Sequence, residues 1–441
     1  MMETVSSTVT PAMWIASSVL VMAYVLIFTE VIHRTLAGII GAVMMILIGM
    51  YFGFYSQAEA VASIDANTMF LLMGMMTLVV LLKPTGGFEY LAIRMAKLSR
   101  GNPRLLLIYI STVVTVISLF LDNVTTVLVF APLTVVIAKM LGISPVPYLM
   151  GEALLSDTGG VATLVGDPPN VMIGSAAGID FNQFLFHMGP IILVCWLVTL
   201  MLMLFLFRRE LAQKIEGVLD LDETKVLKDP KRLIAVSVSI GIVILLFFIH
   251  HHFDFFPGFV AWIGLAVALA LVRPDPEEML KGVDWSVLLF FAGLFIIVGG
   301  VKGSGLLDLL GLQLAEIAQE PGKLLMTALV IMWVSAFLSA VIDNIPFTVT
   351  MIPIIAHLET LGVDVMPLWW ALALGVGLGG NGSHIGSTAN VICVAEAEHS
   401  GVPEYRITPW LWLRKGTPVM LSTLAVSSLL LLVFFDYYRG P

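Results

Sequence analysis

The chain has 441 residues, of which 59% are hydrophobic and 12% charged, with a net charge of −9. Ordinary soluble domains carry roughly 25% charged residues, so a soluble enzyme is excluded and lipid must serve as part of the solvent. No basic tail or aromatic–basic interleaving points to nucleic acid, and Cys195 and Cys393, both inside apolar runs, are too few for a four-thiolate metal cage.

The first ten residues are polar and lack Lys and Arg, so the run at 12–29 reads as a retained helix rather than a cleaved signal. Further apolar runs follow at 36–55, 68–82, 105–121, 127–141, 149–179, 186–207, 233–249, 258–272, 287–301, 324–341, 346–358, 368–396 and 417–435. A few polar residues join 105–121 to 127–141 and 324–341 to 346–358, which predicts two re-entrant hairpins. Gly, Pro and polar residues interrupt 149–179 and 368–396, which predicts two broken helices. The expected fold is an all-α polytopic membrane protein of about ten spans and two hairpins.

Charge placement sets the expected orientation. Arg34, the group Arg94, Lys97, Arg100 and Arg104, the segment 208–232, Arg273 with Lys281, and Arg406, Arg414 and Lys415 all fall on one face when each hairpin enters and leaves on the same side. That face is expected to be cytoplasmic, in the inner membrane, with both termini external. The segment 208–232 then links a first half, 1–207 with its core at about 65–180, to a second half, 233–441 with its core at about 284–396.

The halves repeat one another. Asp65, Gly74 and Gly86 match Asp284, Gly293 and Gly305 at an offset of 219; Asp122-Asn123 matches Asp343-Asn344 at 221; Gly159-Gly160, Gly166 and Asn170 match Gly379-Gly380, Gly386 and Asn390 at 220. An odd number of spans separates the equivalents, so the halves are inverted, and inverted repeats with broken helices are the architecture of secondary transporters.

Asp122 and Asp343 stand where the hairpins turn. A carboxylate at bilayer depth costs roughly 2.5–3.5 kcal/mol or more unless paired, protonated or hydrated. Cap chemistry also suits Asp-Asn-x-Thr, but a neutral residue would serve for that. Asp122, Asp343 and, in the first break, Asp167 are therefore the expected proton-coupling groups. Asn123, Thr125, Thr126, Asn344 and Thr348 at the hairpins, with Asn170, Asn381, Ser383, Ser387, Thr388 and Asn390 at the breaks, are the expected cargo-binding residues. The four residues Asn123, Asn170, Asn344 and Asn390 are expected to converge on one thiol-poor cavity. His384 reads equally as a proton shuttle or a structural imidazole, His250, His251 and His252 as a solvated outer loop, and Glu152 and Asp157 as pathway residues or the cytoplasmic end of the broken helix. No catalytic residue, metal site or cofactor is expected.

Asp122-Asn123-Val124-Thr125-Thr126, its repeat Asp343-Asn344-Ile345-Pro346-Phe347-Thr348, and Gly166-Asp167-Pro168-Pro169-Asn170 resemble the tip and break motifs of the ion transporter superfamily. Ile342 to Thr348 and Gly379-Gly380-Asn381-Gly382-Ser383 look most like its arsenite/antimonite efflux (ArsB) and melanosomal P protein branch. That resemblance implies efflux of arsenite and antimonite against inward proton flow, with hairpins and breaks moving against a scaffold. Asp replaces the Ser found at both tips of the divalent-anion/sodium symporters, which counts against a dianionic cargo. NhaD sodium/proton antiporters share Asp-Asn and supply the alternative. The chain carries no nucleotide-binding Walker motif, so any arsenite-stimulated ATPase would be a separate soluble partner.

Overall fold

The computed structural model describes residues 9–29, 31–212, 223–320, 322–341 and 344–440. Asp343, one of the two expected tip carboxylates, lies outside the described residues. Among those described, every regular element is helical. The first half runs α1 (Pro11–Thr29), α2 (Arg34–Phe52), α3 (Gln57–Ala62), α4 (Ala66–Leu82), α5 (Gly87–Leu98), α6 (Pro103–Ser118), α7 (Asn123–Leu141), α8 (Val146–Gly160), α9 (Pro168–Ala177) and α10 (Phe181–Leu206). The second runs α11 (Pro230–Ile249), α12 (Pro257–Val272), α13 (Pro276–Lys281), α14 (Trp285–Gly303), α15 (Leu306–Ala318), α16 (Leu324–Val341), α17 (Asn344–Thr360), α18 (Met366–Gly379), α19 (Thr388–His399), α20 (Pro409–Val433) and α21 (Phe435–Arg439).

Eight of the described helices are long and apolar enough to cross a bilayer, and the shorter apolar helices include α1 and α12. Length alone misassigns two of the eight. α7 and α16 are arms of the hairpins α6–α7 and α16–α17. Counting each broken helix, α8–α9 and α18–α19, as one crossing, the spans are α1, α2, α4, α8–α9, α10, α11, α12, α14, α18–α19 and α20.

The spans sort into two bodies. In the scaffold, α2 packs along α14 and α12 along α4, so each half lends a helix to the other. These contacts are close because side chains are missing. A Cβ on Gly293 would lie 2.7 Å from the Gly38 carbonyl, and one on Gly74 would lie 3.0 Å from the Ala261 methyl. In the core, α6 packs on α8 and α16 on α18, while α7 crosses to α19 and α17 to α9. Tyr24 reaches from the scaffold to the core, where its hydroxyl donates to the Pro346 carbonyl at 2.6 Å. Arg34 donates to Thr388 at 3.0 Å, and Asn67 to Ser175 at 3.3 Å.

Loop contacts define the two faces. The Lys228 N–H bonds the Thr85 carbonyl, Thr35 bonds Ser286, Lys139 bonds Ser400, and Lys415 bonds the Leu206 carbonyl. These tie together the loops that carry the basic clusters. At the opposite face Asn182 bonds Phe248, Gln319 bonds Leu361, Arg439 pairs with Asp364, and Met13 lies beside Gly305. The start of α1 and the end of the chain's last described helix therefore share the face that lacks the basic clusters.

One reading changes. His250 is buried, not solvated: its Nδ1 lies 2.6 Å from the Phe255 carbonyl and its Nε2 accepts from the Phe181 N–H. It pins α10 to the turn after α11, while His251 and His252 remain exposed.

Candidate functional site

Each break is held open by the same staple. Asn170 donates through Nδ2 to the Gly160 and Thr163 carbonyls, at 3.2 and 2.9 Å. Across the pseudo-two-fold, Asn390 donates to the Gly380 and Ser383 carbonyls at 2.8 and 2.9 Å. Both amides serve carbonyls that the interruption of the helix leaves short of N–H donors: Gly160 and Ser383 accept only long bonds from the Thr163 and Gly386 N–H, at 3.5 and 3.3 Å. Thr163 and Ser383 then donate to Leu119 and Ala340, each at 2.5 Å, and fasten break to hairpin tip. The loop closes so tightly that a Cβ on Gly166 would lie 2.5 Å from the Gly160 carbonyl oxygen and 2.8 Å from that of Ser118. Gly386 repeats this, 2.6 Å from the Gly380 oxygen.

The staples revise the expected convergence of four asparagines. The amide nitrogens of Asn170 and Asn390 are spent on their own breaks. Only their Oδ1 atoms are left, and these, with Asn381 Oδ1, are buried without a hydrogen-bond donor. Asn381 donates to Thr158 at 3.0 Å, linking the second break to α8.

Asn123 and Asn344, the two tip asparagines, reach carboxylates instead. Asn344 donates to Asp167 at 3.3 Å, and Asn123 to Asp157 at 2.8 Å. Ser387, the N-cap of α19, also donates to Asp157, at 3.1 Å. Asp157 thus joins the first tip to the second break, and Asp167 joins the second tip to the first break. Both are buried. The sequence explains why Asp167 is available. It precedes α9, whose first two residues are Pro168 and Pro169, and it makes no side-chain cap bond. Proline has no N–H to attract a capping carboxylate. Ser387, in the equivalent place, does cap α19 through the Ala389 N–H.

The other expected residues are engaged locally. Asp122 caps α7, accepting from the Thr125 N–H at 2.9 Å and from its hydroxyl at 2.5 Å. Thr126 and Thr348 bond carbonyls one turn back, those of Asp122 and Asn344. Thr388 accepts from Arg34. His384 is half-buried in the second break.

Two clefts separate the scaffold from the core, one toward each face. Met76, Val79, Lys83 and Asp284 line the cleft at the basic face together with Asp122, Arg34 and Thr388; its volume is about 110 Å³. Phe295, Val298, Lys302 and Asp65, their counterparts at an offset of 219, line the other, of about 340 Å³. Asp122 therefore faces a cleft, while the carboxylates joining tip to break are Asp157 and Asp167. Sequence reading named Asp157 but gave it no weight. Its repeat equivalent is Gly377, so the matching that raised Asp122 passes over it.

The sequence profile described as "Citrate transporter" matches residues 24–375. The chain belongs to this citrate transporter family. Family relatives include the "46 kDa membrane protein" of Mycobacterium leprae, 37% identical over 95% of this chain and 97% of that one. An uncharacterized transporter of Mycobacterium tuberculosis is 36% identical over the same shares. The human P protein is 32% identical over 95% of this chain but only 59% of its own length. Among solved structures, the YdaH transporter of Alcanivorax borkumensis superposes with a TM-score of 0.60 over 98% of this chain and 99% of its own, at 15% identity. That likeness establishes the fold. The chain is a multi-pass membrane transporter; the family and its relatives leave the cargo open.

Proposed function

We propose that this transporter is a proton-coupled antiporter that exports arsenite and antimonite as neutral trihydroxides. The observation that supports this is the sign of the unmet chemistry at the breaks: Asn170, Asn381 and Asn390 each bury an amide oxygen without a donor. Such a site calls for O–H groups or a cation. A trihydroxide brings three O–H donors, whereas a citrate anion brings mainly acceptors and a charge that Asp157 and Asp167 oppose. Both thiols are buried, far too few for thiolate ligation of arsenic, so hydroxyl recognition is the mode proposed. Asp157 and Asp167 join the tips to the breaks and can trade a proton as the cargo changes. Asp122, and Asp343 outside the described residues, are proposed to meet protons at the cleft mouths.

The basic face is proposed to be cytoplasmic, with both termini external and the energy coming from the proton gradient. A separate soluble ATPase is an added partner in this reading, not a requirement. Amide oxygens and a carboxylate are also sodium-ligand chemistry, so sodium/proton exchange is the second reading. Everted vesicles acidified by respiration decide between them. Arsenite and antimonite should each dissipate the pH gradient. A response to sodium alone would favour the second reading, and citrate-only movement would overturn both.

A further inference from the structure

We propose that Glu152 is a resident proton site on a one-sided relay between the central carboxylates and the basic face; this rests on the proton-coupled reading above. Glu152 lies five residues before Asp157 on α8, about 7.5 Å of helix rise. It is completely buried. Thr134 of α7 donates to one carboxyl oxygen, and the other, Oε2, has no hydrogen-bond partner. An ionised carboxylate with one neutral donor and no cation partner in such a place is heavily penalised, whereas a protonated one satisfies the burial. Nothing in cargo recognition or in helix capping uses this side chain.

The groups around it continue the path. From α19, the fully buried Cys393 lies against the Ala153 backbone, with Glu152, Asp157 and Glu396 as its acidic neighbours. Glu396 has a side chain 26% exposed and approaches His399, 75% exposed, at 3.9 Å. From α7, Lys139 marks the basic end of this seam, bonded to Ser400. Exposure thus rises step by step from Asp157 and Glu152 through Glu396 to His399.

The repeat supplies an internal control. At offsets of 220 and 221, Glu152, Asp157 and Thr134 correspond to Leu372, Gly377 and Ile355, while Cys393 and Glu396 correspond to Ile173 and Ala176. None of these five counterparts, which lead toward the opposite face, is titratable. Packing alone would be served by Leu at 152, as its counterpart shows. Only O–H bonds change in the relay. Glu152 releases its proton toward Glu396 and is refilled from Asp157 along the seam between α7, α8 and α19, and the proton leaves at the basic face.

The test uses the full chain in lipid vesicles with arsenite as the probe. Glu152→Gln should keep arsenite-for-arsenite counterflow at equal pH and lose at least tenfold of the flux driven by a pH gradient. In cargo-free protein at neutral pH, the parent chain should show an infrared band of a protonated carboxyl that the difference spectrum of Glu152→Gln against the parent records as lost. An unchanged band, or unchanged gradient-driven flux, overturns the proposal. Should the Gln variant lose counterflow as well, Thr134→Val keeps the carboxyl and removes its donor. It should shift the pH dependence of gradient-driven flux with counterflow intact, and no shift overturns the relay. A parent chain without gradient-driven flux of arsenite, antimonite or sodium would sink the functional reading instead. The infrared band would then decide the proton site alone.

Discussion

The first break, residues 161–167, is wholly buried, whereas across the pseudo-two-fold Ser383 and His384 are partly open and Ile385 is 42% exposed. Both are held by an asparagine bonded to two carbonyls, and both close over a glycine. Their loads differ. The first carries Asp167 followed by two prolines and follows Asp157 on the same broken helix; the second carries Ser387 and has Gly377 in place of Asp157. The geometry of a break is therefore a shared mechanical requirement, while the break carboxylates, Asp157 and Asp167, stand in one half only. A symmetric fold thus carries asymmetric chemistry at its two breaks.

The sharpest way to break the shared geometry is at its glycines. Gly166→Ala and Gly386→Ala should each abolish transport, measured as gradient-driven flux in vesicles. Each added Cβ would meet a backbone oxygen at 2.5 or 2.6 Å, and overpacking typically costs about 1–3 kcal/mol. Thermal unfolding in detergent should show the loss in both halves. A tolerant Gly386 would mean the second break moves freely enough to accommodate the methyl.

Next in size is the charge asymmetry. Asp167→Asn should lower gradient-driven flux at least tenfold, since it keeps a hydrogen-bonding partner for Asn344 but removes the titratable group. Ser387→Ala should cost about fivefold in flux, because one donor to Asp157 is lost, about 1 kcal/mol, and it should lower stability as well because the α19 cap goes with it. Equal effects would dissolve the distinction between the breaks.

The staples come third. Asn170→Leu and Asn390→Leu each strip two break carbonyls of their amide donor, about 1–3 kcal/mol for each buried group left unmet. Both should lower thermal stability to a similar degree. A variant that keeps stability but raises the apparent KM for arsenite would identify the break whose Oδ1 touches cargo.

The smallest effect tests orientation. Lys228→Cys should resist an impermeant thiol reagent in intact cells, while Gly362→Cys should react, with flux little changed in either. The native thiols Cys195 and Cys393 are buried and give a low background. Reversed labelling would turn the proposed topology over.

Much of this architecture is legible in the sequence, because lipid forces spans to be long apolar runs and the repeat leaves offsets of 219–221. The hairpins and the breaks follow from the polar joints and from Gly and Pro. What the sequence hides is the direction of side chains. Asn170 and Asn390 are visible as paired polar residues, yet whether an amide faces cargo or its own backbone depends on where the broken helix points its carbonyls. Asp157 is hidden differently: it sits in an unremarkable helical stretch with no partner in the repeat, and only packing of α7 and α19 onto α8 brings Asn123 and Ser387 to it. The Pro168-Pro169 pair reads as a helix breaker, but its second effect, sparing Asp167 from capping, appears only with Asn344 in place.

The contact of Gly38 with Gly293 has a mechanical consequence. Bare backbone against bare backbone resists shear, because ridges of neighbouring atoms interlock and no side chain can rotate out of the way. The boundary between scaffold and core is fastened differently, by side-chain tethers such as Tyr24 to Pro346, Arg34 to Thr388 and Asn67 to Ser175, each worth about 0.5–1.5 kcal/mol net. Thermal energy releases such tethers one at a time, while the glycine seam stays locked. The tethered boundary, rather than the glycine seam, is therefore the proposed slip plane between the two bodies.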